Sequence, residues 1–224
     1  HPIQTIQVQN SKTSFSKELK EGFVWLWRHE LLRNMAIILG ILNLVGSIMT
    51  AVFILFAQEI LKTSVLVFAI LGTAGAVGGT IGGAIGPKIS KKLGSGASLS
   101  LTLITMPLTS LIIGLTSSWQ LLWFLTAIST VAAVLWNVIT VSLRQSIIPK
   151  EILGRVNSVY RFFGWGSIPI GALIGGALVS FVDTFASREL ALRAPYFLAF
   201  LLGLVTFIVA APKLTTKRIE SVRK

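Results

Sequence analysis

The chain has 224 residues, 53% of them apolar, a mean hydropathy of +0.80 and a formal net charge of +12. A water-soluble globular domain does not carry that balance, so the bilayer is the expected solvent. No cysteine is present, and the two histidines, His1 and His29, stand too far apart for a cluster, so disulfides and metal centres are not expected.

In chain order, residues 1–15 are polar, start with His rather than Met and hold no apolar signal-peptide core. They read as the remnant of a cytoplasmic linker in a chain cut from something longer. Over 16–33, Lys17, Glu18, Lys20, Glu21 and Arg28 alternate with Leu19, Phe23, Leu26 and Trp27 at helical spacing. That amphipathic helix either lies along the cytoplasmic membrane surface or extends the first span. A spanning helix needs about 20 mostly apolar residues. Six such runs follow, near 34–57, 64–86, 97–117, 119–143, 156–181 and 191–211, and a basic tail closes the chain over 212–224.

Seventeen of the 20 lysines and arginines fall in alternate connections and at the two termini, on one side of the six spans. This is the positive-inside pattern, and it predicts that both termini are cytoplasmic. The basic excess is thus a signal of topology, with contact to anionic lipid headgroups as a consequence; nucleic acid is not an expected partner.

The stretch GTAGAVGGTIGGAIGPKISKKLG, residues 72–94, lies in the second span as far as Gly86. At bilayer depth its backbone must be helical, so a phosphate-cradling loop is not expected. Gly72, Gly75, Gly79, Gly82 and Gly86 form one stripe, widened by Gly78 and Gly83. Small residues at this spacing let helix backbones approach closely. Simple helix packing and a gliding surface of a rocking transporter remain open as readings.

The connection SLRQSIIPKEILGRVN and the following SVYRFFGWGSIPIGALIGGALVS contain Arg144, Gln145, Pro149, Leu153, Gly154, Arg155, Val156 and Arg161, then Gly166, Pro169, Gly171, Gly175 and Gly176. This pattern resembles the second half of the major facilitator superfamily, nearest its twelve-span drug:proton antiporter branch of macrolide, multidrug and siderophore exporters. Upstream, Glu21, Gly22, Phe23, Leu26, Arg28, Leu32 and Arg33 resemble the segment entering span seven of that branch. The resemblance implies an all-α membrane protein. Its six transmembrane helices would form two inverted three-helix repeats, half of a facilitator fold, with an N-terminal six-span half of the same protein as partner. The family's loop signature falls on Gly83 to Gly94; Lys91, Lys92 and Gly94 keep its character, but the acidic position is absent. The loop is read as a short basic cytoplasmic connection.

In inverted repeats the first helix of each triplet borders a central path, here the first and fourth spans. Ala36, Gly40, Asn43, Ser47 and Thr50 share one face of the first; Thr126, Thr130, Ala133, Asn137, Thr140 and Arg144 share one of the fourth. Both stripes are expected to face inward, with Asn43 and Asn137 either lining a cavity or hydrogen-bonding a partner helix. Trp136 and Trp165 offer aromatic surface to a greasy substrate or serve as packing. Trp119 and Trp123 read as an interfacial belt, Pro107 and Pro169 as candidate kinks, and Arg161 as a snorkelling charge. The substrate-cavity set is therefore Asn43, Ser47, Thr50, Thr130, Trp136, Asn137 and Thr140. The packing or gating set is Gly75, Gly79, Gly82, Gly86, Pro169, Gly171 and Gly175, and the cytoplasmic-loop set is Lys91, Lys92, Arg144, Arg155 and Arg161. No acid lies inside the six runs, so a titrating carboxylate for proton coupling is expected in the N-terminal half. The expected function is the C-terminal half of a secondary exporter in the plasma or inner membrane, moving an amphipathic small molecule by alternating access. No cofactor is expected. The rivals are a membrane-embedded enzyme, for which no nucleophile, base and orienter converge, and a non-transporting scaffold or receptor unit.

Overall fold

The computed structural model describes residues 15–222. The linker assigned to 1–15 lies outside the described residues except for its last position, as does the end of the tail. Among the described residues eight α-helices follow one another: α1 Phe15–Arg28, α2 Glu30–Leu55, α3 Val65–Leu93, α4 Ser95–Leu115, α5 Trp119–Ile147, α6 Leu153–Val182, α7 Arg188–Ala210 and α8 Thr216–Val222. Helices α2 to α7 are each long and apolar enough to cross a membrane.

Local chemistry marks the helix ends. Ser64, Ser118 and Ser187 each accept a hydrogen bond from the backbone N–H three residues on, at Val67, Leu121 and Leu190, and so cap α3, α5 and α7. Gly94, at φ +80, lets α3 turn into α4 with no intervening loop. At His29 the backbone turns extended (φ −96, ψ 94), which separates α1 from α2. At the opposite end α2 passes into a π-helical turn, Phe56–Ile60.

The packing follows the expected pseudo-symmetry. Exchanging α2 with α5, α3 with α6 and α4 with α7 turns the close α2–α6 pair into the close α3–α5 pair and maps the α4–α7 pair onto itself. It also carries the α4–α5 contact onto the α2–α7 contact. This is the signature of two inverted three-helix repeats. The two helices that begin the repeats, α2 and α5, scarcely touch each other, and a gap is left between them.

Glycines make the close pairs possible, but not quite where the stripe was drawn. On α3 the buried glycines are Gly78, Gly82 and Gly86. A Cβ on Gly78 would run into the Ala127 carbonyl of α5, and one on Gly82 would come within 2.9 Å of the Val134 Cβ. Gly72, Gly75, Gly79 and Gly83 face away, with nothing within 4 Å of an added Cβ. The packing stripe therefore steps by four residues through 78, 82 and 86, and Gly75 and Gly79 pack against nothing in the described chain. On α6, Gly171 and Gly175 sit against the Leu44 and Ile48 carbonyls of α2. Helix α6 runs unbroken through the exposed Pro169.

Two hydrophobic clusters hold the ends of the bundle. One joins Leu26 of α1, Trp136 and Tyr160 with Leu214 and Ile219 near the basic end. The other joins Phe56, Leu122, Leu192 and Tyr196 near the opposite end. Apolar side chains also cover the outer face, Leu173 and Phe162 each being more than 70% exposed, as a helix bathed in lipid requires.

Candidate functional site

The gap between α2 and α5 contains two cavities, stacked along the helices. The first, about 430 Å³, lies toward the basic end. Asn43 of α2 and Asn137 of α5 both line it. Both amides are oriented by backbone: Asn43 Nδ2 donates to the Gly164 carbonyl of α6 at 2.9 Å, and Asn137 Nδ2 donates to the Ala133 carbonyl of its own helix at 3.1 Å. Gln145 and Asn157 add further amides to the wall.

The charges in this wall are all positive: Arg144 from the last turn of α5 and Arg161 from α6. The Arg144 guanidinium carbon lies over the Tyr160 ring, 3.8 Å from its centroid. Tyr160 is buried, and its hydroxyl donates to the Met35 carbonyl at 3.3 Å, which holds the ring in place. Arg144 Nε is buried with no hydrogen-bond partner, and the side chain forms no ion pair among the described residues. Arg161 lies 5.8 Å from the centroid of Trp165, which is exposed to the same cavity.

The second cavity, about 290 Å³, continues toward the opposite end. Thr126, Thr130 and Ala133 of α5 face Gly46, Thr50 and Phe53 of α2 across it. Met49, Met106 and Leu122 make its surface mostly apolar, and the buried Tyr196 hydroxyl in its wall has no partner.

Several expected residues occupy other places. Trp136 is 2% exposed and sits in the hydrophobic cluster at the basic end, not in a cavity wall. Thr140 is 1% exposed and returns its hydroxyl to the Trp136 carbonyl at 2.9 Å, the usual way a threonine satisfies itself inside a helix. Ser47 donates to the Ile168 carbonyl of α6 at 2.7 Å, and Gly40 faces the Phe163 carbonyl. The small-polar stripe of α2 is thus divided: Gly40 and Ser47 form the seam with α6, Asn43 ties to α6 from the edge of the cavity, and Thr50 borders the gap. Thr130, Asn137 and Arg144 of the α5 stripe do face the gap.

Among the loop residues, Arg155 pairs with Glu18 at 3.3 Å and Glu21 at 2.7 Å, which fastens α1 against the start of α6. An added Cβ on Gly22 would meet the Arg155 backbone at 2.7 Å, so the Glu21–Gly22 and Gly154–Arg155 pairs that carry the resemblance lie at one contact. Lys92 is exposed, and Lys91 lines a separate groove with Glu220 of α8. Trp123 does more than anchor at an interface, since its indole N–H donates to Thr73 Oγ1 of α3 at 3.0 Å.

Three residues of consequence escaped the sequence reading. Tyr160, aromatic in an apolar run, gives no sign of its role beneath Arg144. Arg193 is nearly buried and donates to the Gly114 carbonyl at 2.7 Å, the Thr116 carbonyl at 2.9 Å and Ser117 Oγ at 2.8 Å, closing the end of α4 onto α7. Glu59, in the π turn, accepts from Nε and Nη2 of Arg188, each at 2.9 Å. A signal existed for Arg193: it follows Glu189 by four residues, on the side of the chain poor in basic residues.

The sequence model of the Major Facilitator Superfamily matches residues 34–224. The chain belongs to that superfamily. It is a family of membrane transporters, and six apolar spans in two inverted repeats with a gap between α2 and α5 are the corresponding architecture. No curated protein and no solved structure matches the chain. This facilitator unit therefore works as an integral membrane protein in transport, and its cavity is read in that light.

Proposed function

We propose that this facilitator unit is the C-terminal half of a secondary exporter that moves amphipathic small molecules out of the cell by alternating access, driven by protons. One observation carries the reading: the gap between the repeat-starting helices α2 and α5 is hollow over much of its length, polar at the basic end and apolar beyond it. An amphiphile matches that division. The N-terminal six-span half would close the open side of the gap and supply the titrating carboxylate, because the six runs here carry no acid at mid-membrane depth.

The basic ends of the helices are assigned to the cytoplasm of the plasma or inner membrane by the positive-inside rule. The cavity with Arg144 would then receive substrate from the cytosol. Because the sequence has no cysteine, the orientation is directly testable with single cysteines at Lys91 and Lys217. A membrane-impermeant maleimide should label neither in intact cells and both after permeabilisation.

Transport is tested by retention of a panel of labelled amphiphiles in cells with and without the full-length gene, before and after a protonophore. Retention should fall for at least one compound when the gene is present, and the protonophore should restore it. Equal retention of every compound rejects the exporter; export indifferent to the protonophore rejects proton coupling alone.

A further inference from the structure

We propose that the substrate of this path is an amphipathic organic anion, whose carboxylate, sulfonate or phosphate head is held by Arg144 while its apolar body lies toward Phe53. The inference rests on the transport path proposed above and narrows it to one class of ligand. The cavity at the basic end presents two guanidinium groups and several amides, and its wall contains no aspartate or glutamate. Arginine does not lose its proton in a protein, so both charges persist.

Arg155, Arg188, Arg193 and Arg218 each lie within 3.3 Å of a carboxylate oxygen. Arg144 has none, although its Nε is fully enclosed. Arg28, Arg33 and Arg161 make no ion pair either, but among the described arginines Arg144 alone encloses a guanidinium nitrogen that has no hydrogen-bond partner. A partly buried cation without a counterion is unfavourable unless something of opposite charge completes it. A lipid-seeking arginine would extend outward along the membrane interface; this one folds inward and stacks on Tyr160 at 3.8 Å. The contact with a ring pinned by the Met35 carbonyl holds the guanidinium at the cavity wall, and its two Nη groups, which make no hydrogen bond among the described residues, are the donors that suit a bidentate acceptor. Arg161 adds a second positive charge in the same wall, and Gln145 and Asn157 add uncharged partners.

The rest of the ligand follows from the second cavity. Asn43 and Gly46 are one turn apart on α2, as are Asn137 and Ala133 on α5, so the two hollows adjoin. From Arg144 to Thr130 is 14 residues, or roughly 21 Å at 1.5 Å per residue, the length of an extended amphiphile. Phe53, Met49 and Leu122 at the far end suit an apolar body. An anionic phospholipid has the same chemistry, so the test separates the two sources.

The experiment is equilibrium binding to the full-length protein in phosphatidylcholine nanodiscs, using labelled taurocholate as an amphipathic anion, tetraphenylphosphonium as a cation and digitoxin as a neutral amphiphile. Taurocholate should bind saturably and the other two should not. Arg144→Gln should weaken taurocholate by about 10- to 100-fold, the loss of one charge-assisted contact, and Arg144→Lys by less. Arg161→Gln, at an exposed position, gives a second variant that leaves the fold intact and should weaken binding several-fold. Preferential binding of tetraphenylphosphonium or digitoxin, or indifference to both arginine variants, overturns the anion proposal and leaves the transport path standing. Saturable taurocholate binding that vanishes when phosphatidylglycerol is added assigns the cavity to a lipid headgroup and overturns it as well. Failure of all three compounds to bind removes the path along with it.

Discussion

Replacing Gly78 by alanine inserts one methyl group into the tightest point of the α3–α5 seam. The new Cβ would overlap the Ala127 carbonyl and stand 2.9 Å from the Thr130 Cβ, where carbon pairs rest at about 3.5–4.0 Å. Both partners belong to helix backbone or to a Cβ, so neither can swing aside. Overpacking of this kind costs about 1–3 kcal/mol. Alanine recovers up to about 1 kcal/mol of helix propensity, and Gly79→Ala recovers the same amount with nothing within 4 Å of the added methyl. The difference between the two variants therefore isolates the steric penalty: Gly78→Ala should be about 1–3 kcal/mol less stable than Gly79→Ala. Gly82→Ala should fall between them, because its nearest approaches, 2.9 Å to the Val134 Cβ and 3.1 Å to the Val131 Cα, are less severe than the overlap with the Ala127 carbonyl. Equilibrium unfolding of the purified protein in detergent, followed by tryptophan fluorescence, reads this directly. If Gly79→Ala proves as damaging as Gly78→Ala, the seam runs along the other stripe and the assignment of faces on α3 is wrong.

Arg193→Met keeps the bulk but strips the Gly114 and Thr116 carbonyls at the end of α4 of a charged donor, so the same unfolding assay should show a loss of about 3 kcal/mol. Arg188→Met, whose side chain is 43% exposed, should lose under about 1 kcal/mol despite making more ion pairs; equal losses would contradict the role of burial. At the basic end, Arg155→Glu should speed hydrogen exchange in α1, with partial recovery in the Arg155→Glu, Glu21→Arg pair, and the effect should shrink in high salt. Unaltered exchange in the single variant would mean that the apolar contact around Leu26 and Gly22 alone holds α1 in place.

The six spans are legible because a hydrocarbon solvent imposes one simple demand: long apolar helices with every backbone group satisfied internally. What the sequence conceals is the partner of each face. A helical wheel groups Gly72, Gly75, Gly79 and Gly82 as readily as Gly78, Gly82 and Gly86, since both fit a 3.6-residue turn; only the position of α5 selects the second set. The same limit explains Ser47 and Gly40, whose small size suits a cavity and a close seam equally. Asn43 and Asn137 are easier, because a mid-span amide has few uses: both stand in the wall, and Asn43 alone donates to a partner helix, Asn137 to its own. Tyr160 lay beyond reach: its relation to Arg144 arises from packing across the α5–α6 connection, and no spacing encodes it.

The repeat symmetry is broken where it bears on ligand. In the α2–α6 seam both helices contribute small residues: Gly40 faces the Phe163 carbonyl, Gly171 meets Ser47, and Gly164 and Gly175 lie against Leu39 and Ile48. In the equivalent α3–α5 seam the glycines belong to α3 alone, and α5 offers larger side chains such as Val131 and Val134. Helix α5 is therefore free to turn Thr126, Ala133, Asn137 and Arg144 toward the gap, whereas α2 commits much of its polar stripe to α6 and gives the cavities Asn43 and its more apolar edge. At the basic end the cationic wall comes from α5 and α6 together, through Arg144 and Arg161, while the α2 edge beyond it is mainly apolar, and α2 scarcely touches α5. On the proposed path, ligand chemistry would be set mainly from α5, with Arg161 and Asn157 of α6, and the fit of the ligand's apolar body mainly from α2. Two proteins sharing this seam could diverge in substrate through α5 without disturbing the contacts that hold the bundle together.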